Sequence, residues 1–154
     1  MSIRIIGARL PDGTSGDLFV ENGRFVAQSS GSPSSGSPSS GSQSIDAAGL
    51  IALPGLVDLH THLREPGFEQ SETVLTGSRA AAIGGFTAVF AMANTLPVQD
   101  TASVVEQVQS LGQQHGYVTV RPIGAVTAGL AGQQLSEIGA MAQSRAHVRV
   151  FSDD

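Results

Sequence analysis

Residues 53–69, LPGLVDLHTHLREPGFE, constrain the fold more than any other stretch of this sequence. Pro54 and Gly55 interrupt the chain, and Leu56 to His62 then reads as a short, mostly apolar strand. Successive side chains of a strand point to opposite faces. Strict alternation therefore puts Asp58, His60 and His62 on one face and Val57, Leu59 and Thr61 on the other. Two imidazoles at i and i+2 stand about 6.5–7 Å apart along a strand and can lean together at its end. Two neutral ring nitrogens are thus placed to chelate one metal ion, with the Asp58 carboxylate as a partner behind them or as a strand-packing residue. Arg64, Glu65, Pro66 and Gly67 follow where the strand gives way to a loop. A bare His-x-His pair on a strand is more often a surface or packing feature than a metal site, so the pair alone does not establish a ligand role.

The rest of the chain narrows the choice. Before this strand lie three short β-prone runs, 3–10, 17–20 and 24–28, separated by Pro11-Asp12-Gly13 and by Glu21-Asn22-Gly23, the latter a strong hairpin signal. A Ser/Gly/Pro tract over 29–44, in which GSPSS repeats, has nothing apolar to bury and is expected to be a mobile loop. Residues 45–53 resume a β-like run. After the loop at 64–70, a helix starts near Ser71 and Glu72, carries Val74, Leu75, Ala81, Ala82 and Ile83, and stops at Gly84-Gly85. Residues 86–92 form a buried-type strand. A second helix, capped by Asp100 or by a Ser103/Glu106 capping box, turns Val104, Val105, Val108 and Leu111 inward. A third strand spans 117–126. A short helix spans 134–143 with Leu135, Ile138 and Met141 inward, and a fourth strand, 147–151, precedes Ser152-Asp153-Asp154.

This alternation is the rhythm of a parallel α/β fold. A doubly wound sheet shares it, but no G-x-G-x-x-G turn follows any strand, which weakens a dinucleotide reading. A (β/α)₈ barrel needs ~250 residues, so residues 54–154 account for roughly four of its eight units. The expectation is the first half of a TIM-type barrel over 54–154, preceded by a small β segment over 1–53, in a piece of a longer enzyme. Barrel enzymes carry their chemistry at the C-terminal ends of the strands. Here those ends deliver His60, His62 and Arg64, then Asn94, then Asp153 and Asp154.

Composition excludes several classes. A formal charge of -5 with no basic run argues against a nucleic-acid surface. The absence of cysteine rules out a disulfide framework within these residues. Charge and glycine inside the apolar part of residues 1–13 fit neither a signal peptide nor a membrane span, so a cytoplasmic protein is expected.

The wider string, PG-apolar-apolar-D-apolar-H-x-H-x-R-x-P-G, resembles the first-strand signature of the amidohydrolase superfamily. Its HLREPG form resembles the dihydroorotase family in particular. Met92-Ala93-Asn94-Thr95 is similar to that family's MPNT, with Ala93 as a departure, and Phe151 to Asp154 is similar to its FSDD. The resemblance implies a composite small β-domain built from both ends of a longer chain. It further implies metal-dependent opening and closing of a cyclic amide, interconverting dihydroorotate and N-carbamoyl-L-aspartate in de novo pyrimidine (UMP) biosynthesis. His60 and His62 are the implied metal ligands, with two Zn²⁺ per complete site that acidify a shared water and polarise the ring carbonyl.

All eight basic residues are Arg, so a carboxylated lysine cannot bridge the metals here, and Asp154 is the implied bridging carboxylate. Asp153 is expected to cap backbone. Arg64 is the implied clamp for the substrate carboxylate, its alternative being a surface pairing with Glu65 or Glu69. Asn94 is expected to bond the same carboxylate or the ring amide, its alternative being an Asx turn. His115 and His147 are expected to be structural. The general acid Asp and two further His are expected downstream, so no catalytic residue falls within this chain and the polypeptide alone is expected to be inactive. The resemblance leaves a homodimer or association with aspartate carbamoyltransferase open. Rival readings are a hydantoinase- or allantoinase-like enzyme, or a catalytically dead scaffold relative.

Overall fold

The computed structural model describes residues 2–27 and 42–154. The Ser/Gly/Pro tract expected as a mobile loop lies outside the described residues except for its last three positions, which open a strand. The chain divides into two compact units, Met1–Pro54 and Gly55–Asp154.

The first unit is a four-stranded sheet ordered β3-β2-β1-β4, from β1 (Ser2–Arg9), β2 (Ser15–Glu21), β3 (Arg24–Val26) and β4 (Ser42–Asp46). β1 pairs antiparallel with β2 and parallel with β4. The β2–β3 connection is the two-residue hairpin expected from Asn22-Gly23, with φ of 50° and 76°, the signs a type I′ turn requires. β1 bulges between Ile5 and Ala8. The Asp17 carboxylate is spent at that bulge: Oδ1 accepts the Gly7 N–H at 3.0 Å, and Oδ2 accepts Arg4 Nε and Nη2 at 3.1 and 2.7 Å.

The Arg4 guanidinium, and then the Gly7 N–H, hold the Asp17 carboxyl below its ordinary value of 3.8. A depressed carboxyl stabilises the fold fully above that ordinary value, and the contribution disappears as pH falls through the folded-state value. Asp17→Asn is therefore expected to cost about 1–2 kcal/mol at neutral pH. Thermal melts of variant and parent should converge below pH 3.8; a gap of constant size across that range would contradict the ion-pair account.

The second unit is mixed α/β. β5 (Leu56–Thr61), β6 (Phe86–Ala91) and β7 (Thr119–Pro122) form a parallel sheet ordered β5-β6-β7. α1 (Val74–Ile83) and α2 (Ala102–His115) connect them. One face of the sheet packs on the helices through Leu63, Val74, Val89, Ala91, Val108 and Val120. Where α2 crosses β7 the fit is close: a Cβ added at Gly112 would lie 2.7 Å from the Val120 Cβ. A second cluster, Val105, Met141, Ala146 and Val148 with Phe151 against it, seats α3 (Ile138–Gln143) against α2.

Several expectations are corrected in this unit. α1 begins at Val74 and is capped by Thr73, whose hydroxyl accepts the Thr76 N–H, while Leu75 and Ile83 face outward. The stripe that packs is Val74, Gly77, Ser78 and Ala81, since residues three and four apart share a helix face. α2 has Thr101 at its N-cap position with no side-chain cap bond and no Ser103/Glu106 box; Glu106 instead accepts Arg145 N, Nε and Nη2 at 3.0, 3.1 and 2.6 Å. The guanidinium holds the Glu106 carboxyl below its usual range. α3 is four residues shorter than expected at its start, because Leu135 forms an antiparallel bridge with Thr127 and stays exposed.

The fourth strand is the largest correction. Residues 147–150 are irregular, and only Phe151 bridges Gly124, where Gly124 N donates to Val150 O and Gly124 O accepts Ser152 N. His147 has φ 48°, outside the extended region, and Pro122 has no N–H to continue the ladder. Among the described residues no helix is long and apolar enough to cross a membrane.

Candidate metal centre

The site lies at the C-terminal ends of β5 and β6. β5 carries one extra residue against β6 between the pairs Asp58↔Val89 and Thr61↔Ala91. The bulge breaks the strict alternation expected from the sequence. Asp58 Oδ1 accepts the His60 N–H at 3.0 Å, and Asp58 lines a cavity beneath α1 together with Thr61, His62, Leu63 and Gly77. Thr61 ties the strand end down, its hydroxyl donating to Phe90 O at 2.8 Å and its carbonyl accepting Met92 N at 2.8 Å.

His60 and His62 meet edge to face, with ring centroids 5.1 Å apart. Asp154 closes the group. Its Oδ1 is 3.1 Å from His60 Nε2 and 3.8 Å from His62 Nε2, and one ligand atom from each of the three residues lies within 4.8 Å of the others. Asp154 is placed by its neighbour. Asp153 caps backbone, as expected: Oδ1 accepts Val126 N and Thr127 N at 2.8 and 2.9 Å, and Oδ2 accepts the Thr127 hydroxyl at 2.6 Å. That hydroxyl above all holds the Asp153 carboxyl below its usual range. The bonds fasten the segment after Phe151 to the turn after β7, and Asp154 is presented to the imidazoles.

Asn94 joins the same group. Its Oδ1 is 3.0 Å from His62 Nδ1 and its Nδ2 donates to Asp154 Oδ2 at 2.8 Å. The partner at the far nitrogen of His62 is therefore the Asn94 amide and not Asp58, a role that no spacing or motif marks. The side chain is not turned back into an Asx turn.

Arg64 follows His62 with φ 62°. Neither acidic neighbour takes its guanidinium: Glu65 Oε2 accepts the Val74 N–H at 2.7 Å, and Glu69 Oε1 accepts the Gly67 N–H at 2.8 Å. Among the described residues Arg64 forms no ion pair. The loop is locked to that of Asn94 by Leu96 N donating to Pro66 O at 2.9 Å. His115 ends α2, and His147 lies in the irregular segment with its N–H on Ser144 O; neither belongs to the three-residue group.

Two imidazole nitrogens and a carboxylate oxygen, converging from positions ninety residues apart in sequence, form a donor set suited to a borderline divalent cation such as Zn²⁺. The close approach of three electron-rich atoms favours a cation among them.

A family model described as "Dihydro-orotase-like" matches residues 49–154. The dihydroorotase of Leifsonia xyli subsp. xyli is 67% identical over 150 residues, covering 97% of this chain and 33% of the relative. That of Mycobacterium tuberculosis is 52% identical over 155 residues, covering 100% of this chain and 35% of the relative. Among solved structures, L-hydantoinase (dihydropyrimidinase) from Arthrobacter aurescens superposes with a TM-score of 0.69 at 27% identity, over 83% of this chain and 29% of that one. The chain thus spans about a third of the length of the curated relatives it matches. With a family match running from Gly49 through Asp154 and such identity along nearly all of its length, the chain belongs to the dihydro-orotase-like family.

Proposed function

We propose that the protein to which these residues belong is a zinc-dependent dihydroorotase, interconverting dihydroorotate and N-carbamoyl-L-aspartate in cytoplasmic pyrimidine synthesis. In this reading residues 54–154 supply the first four β/α units of a TIM-type barrel, and residues 1–53 supply part of a small β-domain. The observation that carries it is the convergence of His60, His62 and Asp154 on one point in a chain of this family.

His60, His62 and Asp154 would hold zinc, the Asp154 carboxylate standing where a carboxylated lysine is not available. Zinc so held would supply Lewis acidity and a water acidified toward a pKa of ~7. The chain's own residues do the rest of what falls to this half of the site. Arg64 presents a planar fork to the substrate carboxylate, since both nearby glutamates are occupied with backbone N–H groups. Asn94 has one amide hydrogen left for the same carboxylate. Asp153 holds Asp154 in place and stays ionised at neutral pH.

Arg64→Gln in the full-length protein is expected to raise KM for dihydroorotate about 10- to 100-fold, the worth of one charged bidentate contact. An unchanged KM would remove Arg64 from the site. The similarity to an L-hydantoinase favours one second reading, a cyclic amidohydrolase for hydantoins. A panel of dihydroorotate, hydantoin and allantoin, offered to the full-length zinc-loaded protein, separates the two. Turnover of dihydroorotate alone is expected; preferential hydrolysis of hydantoin would replace the assignment.

A further inference from the structure

We propose that Asn94 is a positioning residue of the metal centre: it fixes His62 as the Nδ1–H tautomer, leaving Nε2 free as a ligand, and turns Asp154 so that Oδ1 faces both imidazoles. The inference rests on the metal-centre reading given above and adds to it a residue that sets the ligands themselves.

An amide NH₂ can only donate and an ionised carboxylate can only accept, so the 2.8 Å contact between Asn94 Nδ2 and Asp154 Oδ2 fixes which way the amide lies. Asn94 Oδ1 must then be the atom 3.0 Å from His62 Nδ1, and it can only accept. In the neutral ring the imidazole proton therefore sits on Nδ1. Nε2 is left with a lone pair, aimed across 3.8 Å at Asp154 Oδ1, which is also an electron-pair donor. Two such atoms repel unless a cation lies between them, so the same amide that arranges the pair also prepares it for a metal.

The loop that carries Asn94 is built to hold this geometry. Gln99 is wholly buried, donates from Nε2 to Met92 O at 2.7 Å, and donates its backbone N–H to Ala93 O at 3.0 Å. Ala125 N in turn donates to Gln99 O at 2.7 Å. Thr95, also buried, closes the other side through its hydroxyl on Pro97 O at 2.7 Å. Asn94 is thus braced from below on both flanks, and both ends of its side chain meet ligand-bearing residues.

The test uses nitrogen-15 NMR of the imidazoles in the metal-free chain, in mildly alkaline buffer, together with zinc affinity from competition with a chelator. Wild type is expected to show His62 as the Nδ1–H tautomer. Asn94→Ala is expected to shift His62 toward the Nε2–H tautomer and to weaken zinc binding about 10- to 100-fold. Asn94→Asp keeps an acceptor at Nδ1, so the tautomer should persist while the donor to Asp154 is lost. The wild-type tautomer and Asn94→Asp keep the proposal testable if Asn94→Ala does not fold. An Nε2–H tautomer in the wild-type chain would overturn the proposal. So would Asn94→Ala binding zinc as tightly as wild type, which leaves the metal centre standing. A wild-type chain with the expected tautomer that binds no zinc would overturn the metal-centre reading, and the proposal with it.

Discussion

Replacing His60 and His62 together with Ala is expected to abolish tight zinc binding by the chain while leaving its fold intact. The two losses are of different kinds. The His60 ring is 57% exposed and sits at a strand end, so its removal should change the stability of the metal-free chain by no more than about 0.5 kcal/mol. The His62 ring is 29% exposed and gives up one hydrogen bond to Asn94, at a cost of about 1 kcal/mol. Zinc affinity should fall much further. Loss of an outer hydrogen-bond partner alone weakens such sites about 10- to 100-fold, and here both proposed imidazole ligands are gone. Titration of zinc into wild type and the double variant, monitored beside a urea melt of each, checks both halves. Undiminished affinity would show that the imidazoles are not ligands; collapse of the metal-free fold would show that they serve the strand.

Gly67→Val is the second large effect, and it acts through backbone. Gly67 has φ 103°, which side chains rarely tolerate, and a Cβ there would run into the carbonyl oxygen of Leu96 and lie 2.5 Å from its Cβ. Neither can yield easily, because Leu96 N is bonded to Pro66 O in the same contact. Strain and overlap together should cost about 2–4 kcal/mol. The loop carrying Arg64 must then part from the loop carrying Asn94, so zinc affinity should drop as well, through the His62–Asn94 bond. A urea midpoint within error of wild type would mean that the two loops move independently.

These effects follow from features that differ in how openly the sequence displays them. The apolar run ending in His-x-His, the hairpin at Asn22-Gly23 and the valine stripe of α2 rest on local chemistry, and all are present. Asp153 as a backbone cap was legible for the same reason. The misreadings share a cause in tertiary competition. Glu106 matches a capping box locally, but Arg145, thirty-nine positions on, offers its carboxylate three donors. Leu135 fits a helical stripe, but pairing with Thr127 takes it out of the helix. HVRVF alternates like a strand, yet His147 turns to positive φ and Pro122 cannot extend the ladder. Asp58 obeys period two on paper, but a bulge interrupts the strand just after it and its carboxylate is taken up by the His60 N–H. Asn94 as the link between His62 and Asp154 depends on three segments meeting, which no spacing encodes.

The central claim is that His60, His62 and Asp154 grip the same divalent cation. Zinc X-ray absorption on the loaded chain tests it most directly. Two imidazole nitrogens and carboxylate oxygen are expected around the zinc at about 2.0–2.2 Å, with the imidazole scattering lost in the double histidine variant. An all-oxygen shell, or an imidazole signature that survives in that variant, would contradict it.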